Sequence, residues 1–167
     1  MVSIIMGSMS DFPVVRKAAD FLEEMEVPFE LRALSAHRTP AEVEEFARTA
    51  RDRGVKVIIA AAGMSAALPG VIAAQTSLPV IGLPISATLQ GIDALLSTVQ
   101  MPPAIPVASV GIDAALNAGV MAVRILSLSD DALAARYDAY RLTLADKVKL
   151  ADAKLAVIED YKYKVNN

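Results

Sequence analysis

Between Lys56 and Asp113 the chain carries a single charged residue, Asp93. A segment this poor in charge has to be hidden from water, in a bilayer, in a core or beneath other subunits. Residues 57 to 74 are apolar enough to approach a membrane-spanning length. Gly63, Pro69, Gly70, Pro79 and Pro84 nevertheless cut the segment into short runs, and the polar triplet QTS (75–77) separates two of them. Short buried strands, with further surface covered by other subunits, account for the pattern better than a membrane does.

Apolar runs alternate with helical patterns along most of the chain. VSIIM (2–6) reads as a buried strand, followed by the turn GSMSD (7–11) and a helix from Phe12 to Met25, with Pro13 tolerated in its first turn. PFELRAL (28–34) reads as a second strand that ends at the polar loop SAHRTP (35–40). Pro40 opens a helix, AEVEEFARTARDRG, acidic at its start and basic at its end as the helix dipole favours, with Gly54 as its stop. VKVIIAA (55–61), LPVIGLP (78–84) and IPVASV (105–110) read as strands three to five, separated by the helix-compatible SAALPGVIAAQ and GIDALLSTVQM. Repetition of strand, loop and helix predicts a parallel sheet covered by helices on both faces. With right-handed crossovers, that is a three-layer α/β/α sandwich of flavodoxin-like or Rossmann-like type.

The tail follows another rule. Leu133, Tyr137, Tyr140, Leu144, Val148, Ala151, Leu155 and Ile158 recur three and four apart, which is one stripe of a long helix. At about 1.5 Å per residue such a helix outruns a small domain, so part of the stripe is expected to pack on another subunit. The expected division is a catalytic domain over 1–128 and a helical tail over 129–167 that packs on neighbouring subunits.

Composition removes several classes of function. A net charge of −3 and a pI near 5.2 argue against general affinity for nucleic acid or anionic lipid. The absence of cysteine removes disulfides, thiolate metal sites and a cysteine nucleophile. One histidine falls short of the two or three histidines or cysteines that catalytic zinc usually needs, and no metal is expected. The start, MVSIIMGSMSDF, has neither a basic flank nor a signal-length apolar run, and a cytoplasmic location is the expectation.

Ligands in doubly wound folds bind beyond the carboxyl ends of the strands, where GSMSD, SAHRTP and AGMSAALPG (62–70) all open. GSMSD offers a glycine, hydroxyls and backbone N–H groups before a helix, which suits a phosphate; ordinary capping by Ser10 or Asp11 is the plainer alternative. In SAHRTP, Arg38 can hold a phosphate bidentately, Ser35 can donate to it and His37 can move protons. Against that, Thr39 before Pro40 is a good helix cap and Arg38 could be a solvated charge. AGMSAALPG is small and apolar, which permits close approach to a ligand and a dry pocket, or simply tight helix–sheet packing. Histidine and arginine side by side, at the same sheet edge as a glycine–serine loop, point to a phosphorylated substrate undergoing proton transfer.

In order and spacing, MGSMSD, SAHRTP, AGMSAALPG and GIDALLSTVQMP resemble the motifs of the carboxyaminoimidazole ribonucleotide mutases. This family of de novo purine biosynthesis is also called the catalytic subunit of phosphoribosylaminoimidazole carboxylase, and the resemblance spans roughly residues 2 to 126. It implies a flavodoxin-like fold, an octamer, a ribonucleotide substrate, and no metal, biotin or ATP. By motif it implies that Ser8, Ser10 and Asp11 bind the substrate, Asp11 on the ribose hydroxyls. Ser35 and Arg38 would hold the phosphate, and His37 would be the acid and base. Gly63, Met64, Ser65, Ala66 and Leu68 would cover the migrating carboxylate.

The chain departs from the family where AAAGMSAALPG stands in place of AGAGGAAHLPG. Met64 and Ser65 replace glycine and alanine, and Ala67 replaces a second histidine, so no mechanism needing two histidines applies. A sister family that carboxylates a pyridine mononucleotide has a loop like GMSAALP, but the intact SAHRTP favours the purine enzyme. A direct carboxylase of aminoimidazole ribonucleotide is the nearest rival, and SAHRTP resembles the mutase form more than the SAHKT of the carboxylase. A flavin- or nucleotide-binding module is the rival from another class. Flavin generally calls for aromatic stacking, and none of the four phenylalanines and four tyrosines lies in the three loops.

Overall fold

The computed structural model describes residues 1–165. Its centre is a five-stranded parallel sheet in the order β2-β1-β3-β4-β5, built from β1 (Val2–Met6), β2 (Phe29–Ala33), β3 (Val57–Gly63), β4 (Val80–Ile85) and β5 (Ala108–Ser109). That is the flavodoxin-like order, which the element pattern had left open against a Rossmann-like one. Residues of β1 and β4 are buried throughout, as continuous apolar runs in a sheet covered on both faces should be. At the edge, β2 exposes Leu31 and Arg32.

Alternation along the strands divides the core into two. Ile4, Ile59, Ile81 and Leu83 face one side, under α1 (Phe12–Glu24), α5 (Ala115–Ser127) and the start of α6 (Asp131–Ala156). Ile5, Ile58, Ala60 and Val80 face the other, under α2 (Pro40–Thr49), α3 (Ala67–Gln75) and α4 (Ile92–Val99). The charge-poor segment supplies β3, α3, β4, α4 and β5, and among the described residues no helix is long and apolar enough to cross a membrane. Its lone charge has a local task. Asp93 accepts from the Thr88 hydroxyl and, at 2.9 Å, from the Ala94 N–H, which ties the loop after β4 to the start of α4.

The differences from the sequence expectations have physical causes. Strand β3 begins later and runs on to Gly63, paired with Ile85, so the glycine of the third loop ends a strand. Strand β5 shrinks to two residues at the sheet edge, after Pro106, which has no N–H to give a ladder. Helix α2 stops at Thr49 and Gly54, at φ 81°, closes the turns that follow it. Helix α6 ends at Ala156, short of Ile158. Its stripe also splits. Leu133 is buried, Tyr137 and Tyr140 pack against the core with Tyr140 edge-on to Phe21 at 5.0 Å, and Arg136 donates to the Met25 carbonyl at 3.1 Å. Beyond them, every residue from Arg141 to Val157 is exposed.

Candidate active site

Chain connections leave β1 and β3 in opposite directions, and a doubly wound sheet opens a crevice at that switch point. Here the loops after β1, β2 and β3 enclose a cleft of about 620 Å³, with Ala87 from the loop after β4 on its wall. Every residue nominated from the sequence lines it: Ser8, Ser10 and Asp11 from the first loop; Ser35, His37 and Arg38 from the second; Gly63, Met64, Ser65, Ala66 and Leu68 from the third. Gly7, Ala36, Ala62 and Ala87 also line it and were not nominated, as does Ala67, where the family motif has its second histidine. Ala87 could have been found by the rule that all parallel strands open to one edge, since it follows β4 directly.

In the first loop, Ser8 caps a short 3₁₀ turn (Met9–Asp11), its hydroxyl accepting from the Ser10 N–H at 3.3 Å. Asp11 stands at the N-cap position of α1 but makes no side-chain capping bond. The capping alternative therefore fails for the carboxylate, which instead accepts from the Ser10 hydroxyl at 3.3 Å. Burial pushes the Asp11 carboxyl above its ordinary value of 3.8, and bonds from the Ser10 hydroxyl and the Ser8 backbone only partly offset this.

The second loop is closed by Thr39. Its hydroxyl accepts from the Ser35 N–H at 2.9 Å and donates to the Ser35 carbonyl at 3.1 Å, while the Thr39 N–H reaches the same carbonyl at 2.8 Å. Thr39 thus makes no capping bond to α2 and spends its hydroxyl on holding Ala36, His37 and Arg38 in a tight turn. The Ser35 hydroxyl accepts from the Arg38 N–H at 3.3 Å. Arg38 Nη2 donates to the Gly7 carbonyl at 3.3 Å and so joins the second loop to the first. Among the described residues Arg38 has no carboxylate partner, which leaves its remaining N–H groups for an anion. His37 is exposed on the same turn.

The third loop is tight. A Cβ on Gly63 would lie 3.1 Å from Ala87 Cβ and 3.3 Å from the Ile85 carbonyl, so glycine there lets the loop press against the end of β4. Met64 has φ 55°, a left-handed conformation unusual for a side chain with bulk, and its carbonyl accepts from the Ala66 N–H at 2.8 Å. Ala66 and Leu68 are buried and form an apolar floor. Among the described residues no three His, Cys, Asp or Glu side chains gather to hold a metal ion.

Together these features define a class: a flavodoxin-like α/β protein whose switch-point cleft has one polar, anion-ready wall bearing a histidine and one small apolar wall. Residues 1–147 match a family model described as AIR carboxylase. A protein of Pyrococcus abyssi, named N5-carboxyaminoimidazole ribonucleotide mutase, is 56% identical over 141 residues, 84% of this chain and 81% of its own. Proteins of the same name from Mycobacterium leprae (54% identical, 92% of this chain and 91% of theirs) and Bacillus subtilis (54%, 84% and 89%) are similar. The solved structure of Treponema denticola PurE superposes with a TM-score of 0.82 at 31% identity, covering 92% of this chain and 97% of that one. The chain belongs to the AIR carboxylase family.

Proposed function

We propose that this chain is the isomerase that converts N5-carboxyaminoimidazole ribonucleotide to 4-carboxy-5-aminoimidazole ribonucleotide in de novo purine biosynthesis. The observation that carries the reading is the convergence of the first three loops on one cleft, in a chain more than half identical to relatives of that name. The Ser35 hydroxyl and the Arg38 guanidinium hold the substrate phosphate. Ser8, Ser10 and Asp11 hold the ribose, with the carboxylate accepting from its hydroxyls. This remote binding energy positions the ring against the apolar wall.

His37 then does proton work in both halves of the reaction. Protonation of the carbamate nitrogen by His37 makes it a leaving group, and the N–C bond breaks to give carbon dioxide and aminoimidazole ribonucleotide. The electron-rich ring carbon 4 attacks the trapped carbon dioxide, and neutral His37 takes the carbon-4 proton as aromaticity returns. The cycle returns its proton, so one histidine suffices. Gly63, Met64, Ser65, Ala66 and Leu68 surround the migrating group and exclude competing water.

Assembly and location belong to the same reading: a cytoplasmic homo-octamer, with 1–128 as the catalytic domain and the exposed part of α6, from Arg141 on, packing on neighbouring subunits. Support comes from uncovered apolar surface. Ile92, Leu96 and Val99 form an exposed stripe along α4, Leu89 is exposed in the turn before it, and Leu142, Leu144, Val148 and Leu155 are exposed on α6. The deciding experiment supplies either N5-carboxyaminoimidazole ribonucleotide or aminoimidazole ribonucleotide, with and without bicarbonate, and follows the carbon-carboxylated product. Product from the first substrate without bicarbonate is expected. Product only from the second, and only with bicarbonate, would make the chain a direct carboxylase.

A further inference from the structure

Of the residues lining the cleft, only Met64 and Leu68 have large apolar side chains, and they are held differently. Leu68 is 3% exposed and fixed in the core under α3; Met64 is 58% exposed at the rim. The rest of that wall is glycine, alanine and Ser65, so no other long apolar side chain reaches over the cleft. Met64 is also strained. Its φ of 55° is one that glycine adopts freely and a methionine does not, and both sides of it are pinned. Gly63 is pressed against Ala87 and the Ile85 carbonyl, and the Met64 carbonyl is bonded to the Ala66 N–H. A strained residue at the edge of a cleft, carrying the one long and flexible apolar side chain there, is placed to act on what the cleft contains.

Resting on the mutase reading, we propose that Met64 is the cover that retains carbon dioxide between the two halves of the reaction. When the N–C bond breaks and the nitrogen takes its proton from His37, the carbon dioxide has two fates. Carbon 4 captures it and gives its proton back to His37, or it escapes and leaves aminoimidazole ribonucleotide behind. The thioether side chain, swung across the apolar wall, closes the escape route and excludes water without offering a group that reacts. Met64 thereby sets the partition between isomerised and decarboxylated product. Strain at its backbone is the stability cost of holding a side chain where a glycine would fit better.

The test compares the parent, Met64→Gly and Met64→Leu with N5-carboxyaminoimidazole ribonucleotide in isotopically labelled bicarbonate, after subtraction of breakdown without enzyme. Three quantities are read: aminoimidazole ribonucleotide released, label in the carboxylated product, and melting temperature. Met64→Gly is expected to melt no lower than the parent, because glycine relieves the left-handed strain, yet to release several-fold more decarboxylated nucleotide and take up more label. Met64→Leu, which keeps apolar bulk, should leak less than the glycine variant. An active parent with the same partition and label uptake as Met64→Gly overturns the role of Met64 alone. So does a glycine variant that melts lower than the parent and partitions as it does, because the side chain is then packing. A parent that makes no carboxylated product from this substrate overturns the reading of the site, and the role of Met64 with it.

Discussion

His37 and Asp11 illustrate two ways in which a side chain becomes available for chemistry. His37 sits on a turn that Thr39 closes through Ser35, so its backbone is held while its ring stays exposed. His37→Asn keeps size and polarity but cannot cycle a proton. It should retain fold and ribonucleotide binding while turnover falls by about 10²–10⁴-fold or more, since one group serves two steps. Turnover of the purified variant beside a binding titration checks this, and a loss within about tenfold is too small for the role. Asp11 is different, because burial raises its carboxyl above 3.8. Between the unfolded value and the raised folded one, the folded state keeps a proton that the unfolded state has lost. Stability from this group therefore falls as pH rises through that window, and the deficit is complete above it. Asp11→Asn should fold at least as stably as the parent at neutral pH, with the difference vanishing below 3.8, and should bind substrate more weakly. Urea midpoints that favour the parent at neutral pH would show instead that the bonds from Ser8 and Ser10 make the carboxylate stabilising.

At the scale of elements, packing decided what the sequence let be read. Strands β1, β3 and β4 were legible because both faces are buried and their apolar runs are unbroken. Helix α5 carried no expectation at all. Its outer face mixes the exposed Leu116 and Met121 with Asn117 and Arg124, so ALNAGVMAVRILS has no clean polar face, and Ala114 at its N-cap makes no capping bond. Gly119 permits the approach to α1, since a Cβ there would lie 3.2 Å from the Ala18 carbonyl. The three loops were legible as chemistry because each follows a strand directly at the carboxyl edge of the sheet and two of them carry groups that bind anions or move protons, whereas Ala36 and Ala87 carry no signal of their own. Thr39 does occupy the N-cap position of α2, but its hydroxyl is taken by Ser35, a competing partner that exists only once the turn has formed. Tightness between elements also yields a prediction. A Cβ on Gly82 would lie 2.2 Å from Thr98 Cγ2 and 2.9 Å from Val107 Cγ1. Gly82→Ala should cost about 1–3 kcal/mol by overpacking between β4 and α4. Chemical denaturation gives the figure, and a variant as stable as the parent would mean that α4 shifts freely on the sheet.

For the molecule as a whole, α6 has a packed inner part and an exposed outer part, and the two can be separated. Truncation after Tyr140 keeps Leu133, Tyr137 and Tyr140 against the core. That chain should fold and change its assembly, because what it loses is exposed surface rather than core. Truncation after Ser129 removes Leu133 as well, whose burial contributes about 1.5–3 kcal/mol, and should lower the melting temperature and the solubility. Light scattering and thermal unfolding of the two truncations distinguish these losses. A full chain that is a stable monomer at micromolar concentration, or a truncation after Tyr140 with the parent's assembly, would remove the tail from the assembly argument.

The strand order also bears on the nascent chain. Val2 of β1 pairs with Phe29 on one side and with Val57 on the other. The stretch made before either partner is therefore one that ends between two neighbours, inside the sheet. Until β3 has left the ribosome, VSIIM has one partner strand at most, and its other edge is an open, apolar template for a neighbouring chain. Pairing across such a sequence separation is slow to close, so the hazard lasts. Synthesis rate and chaperone supply, rather than the stability of the finished fold, should govern how much of this protein a cell recovers.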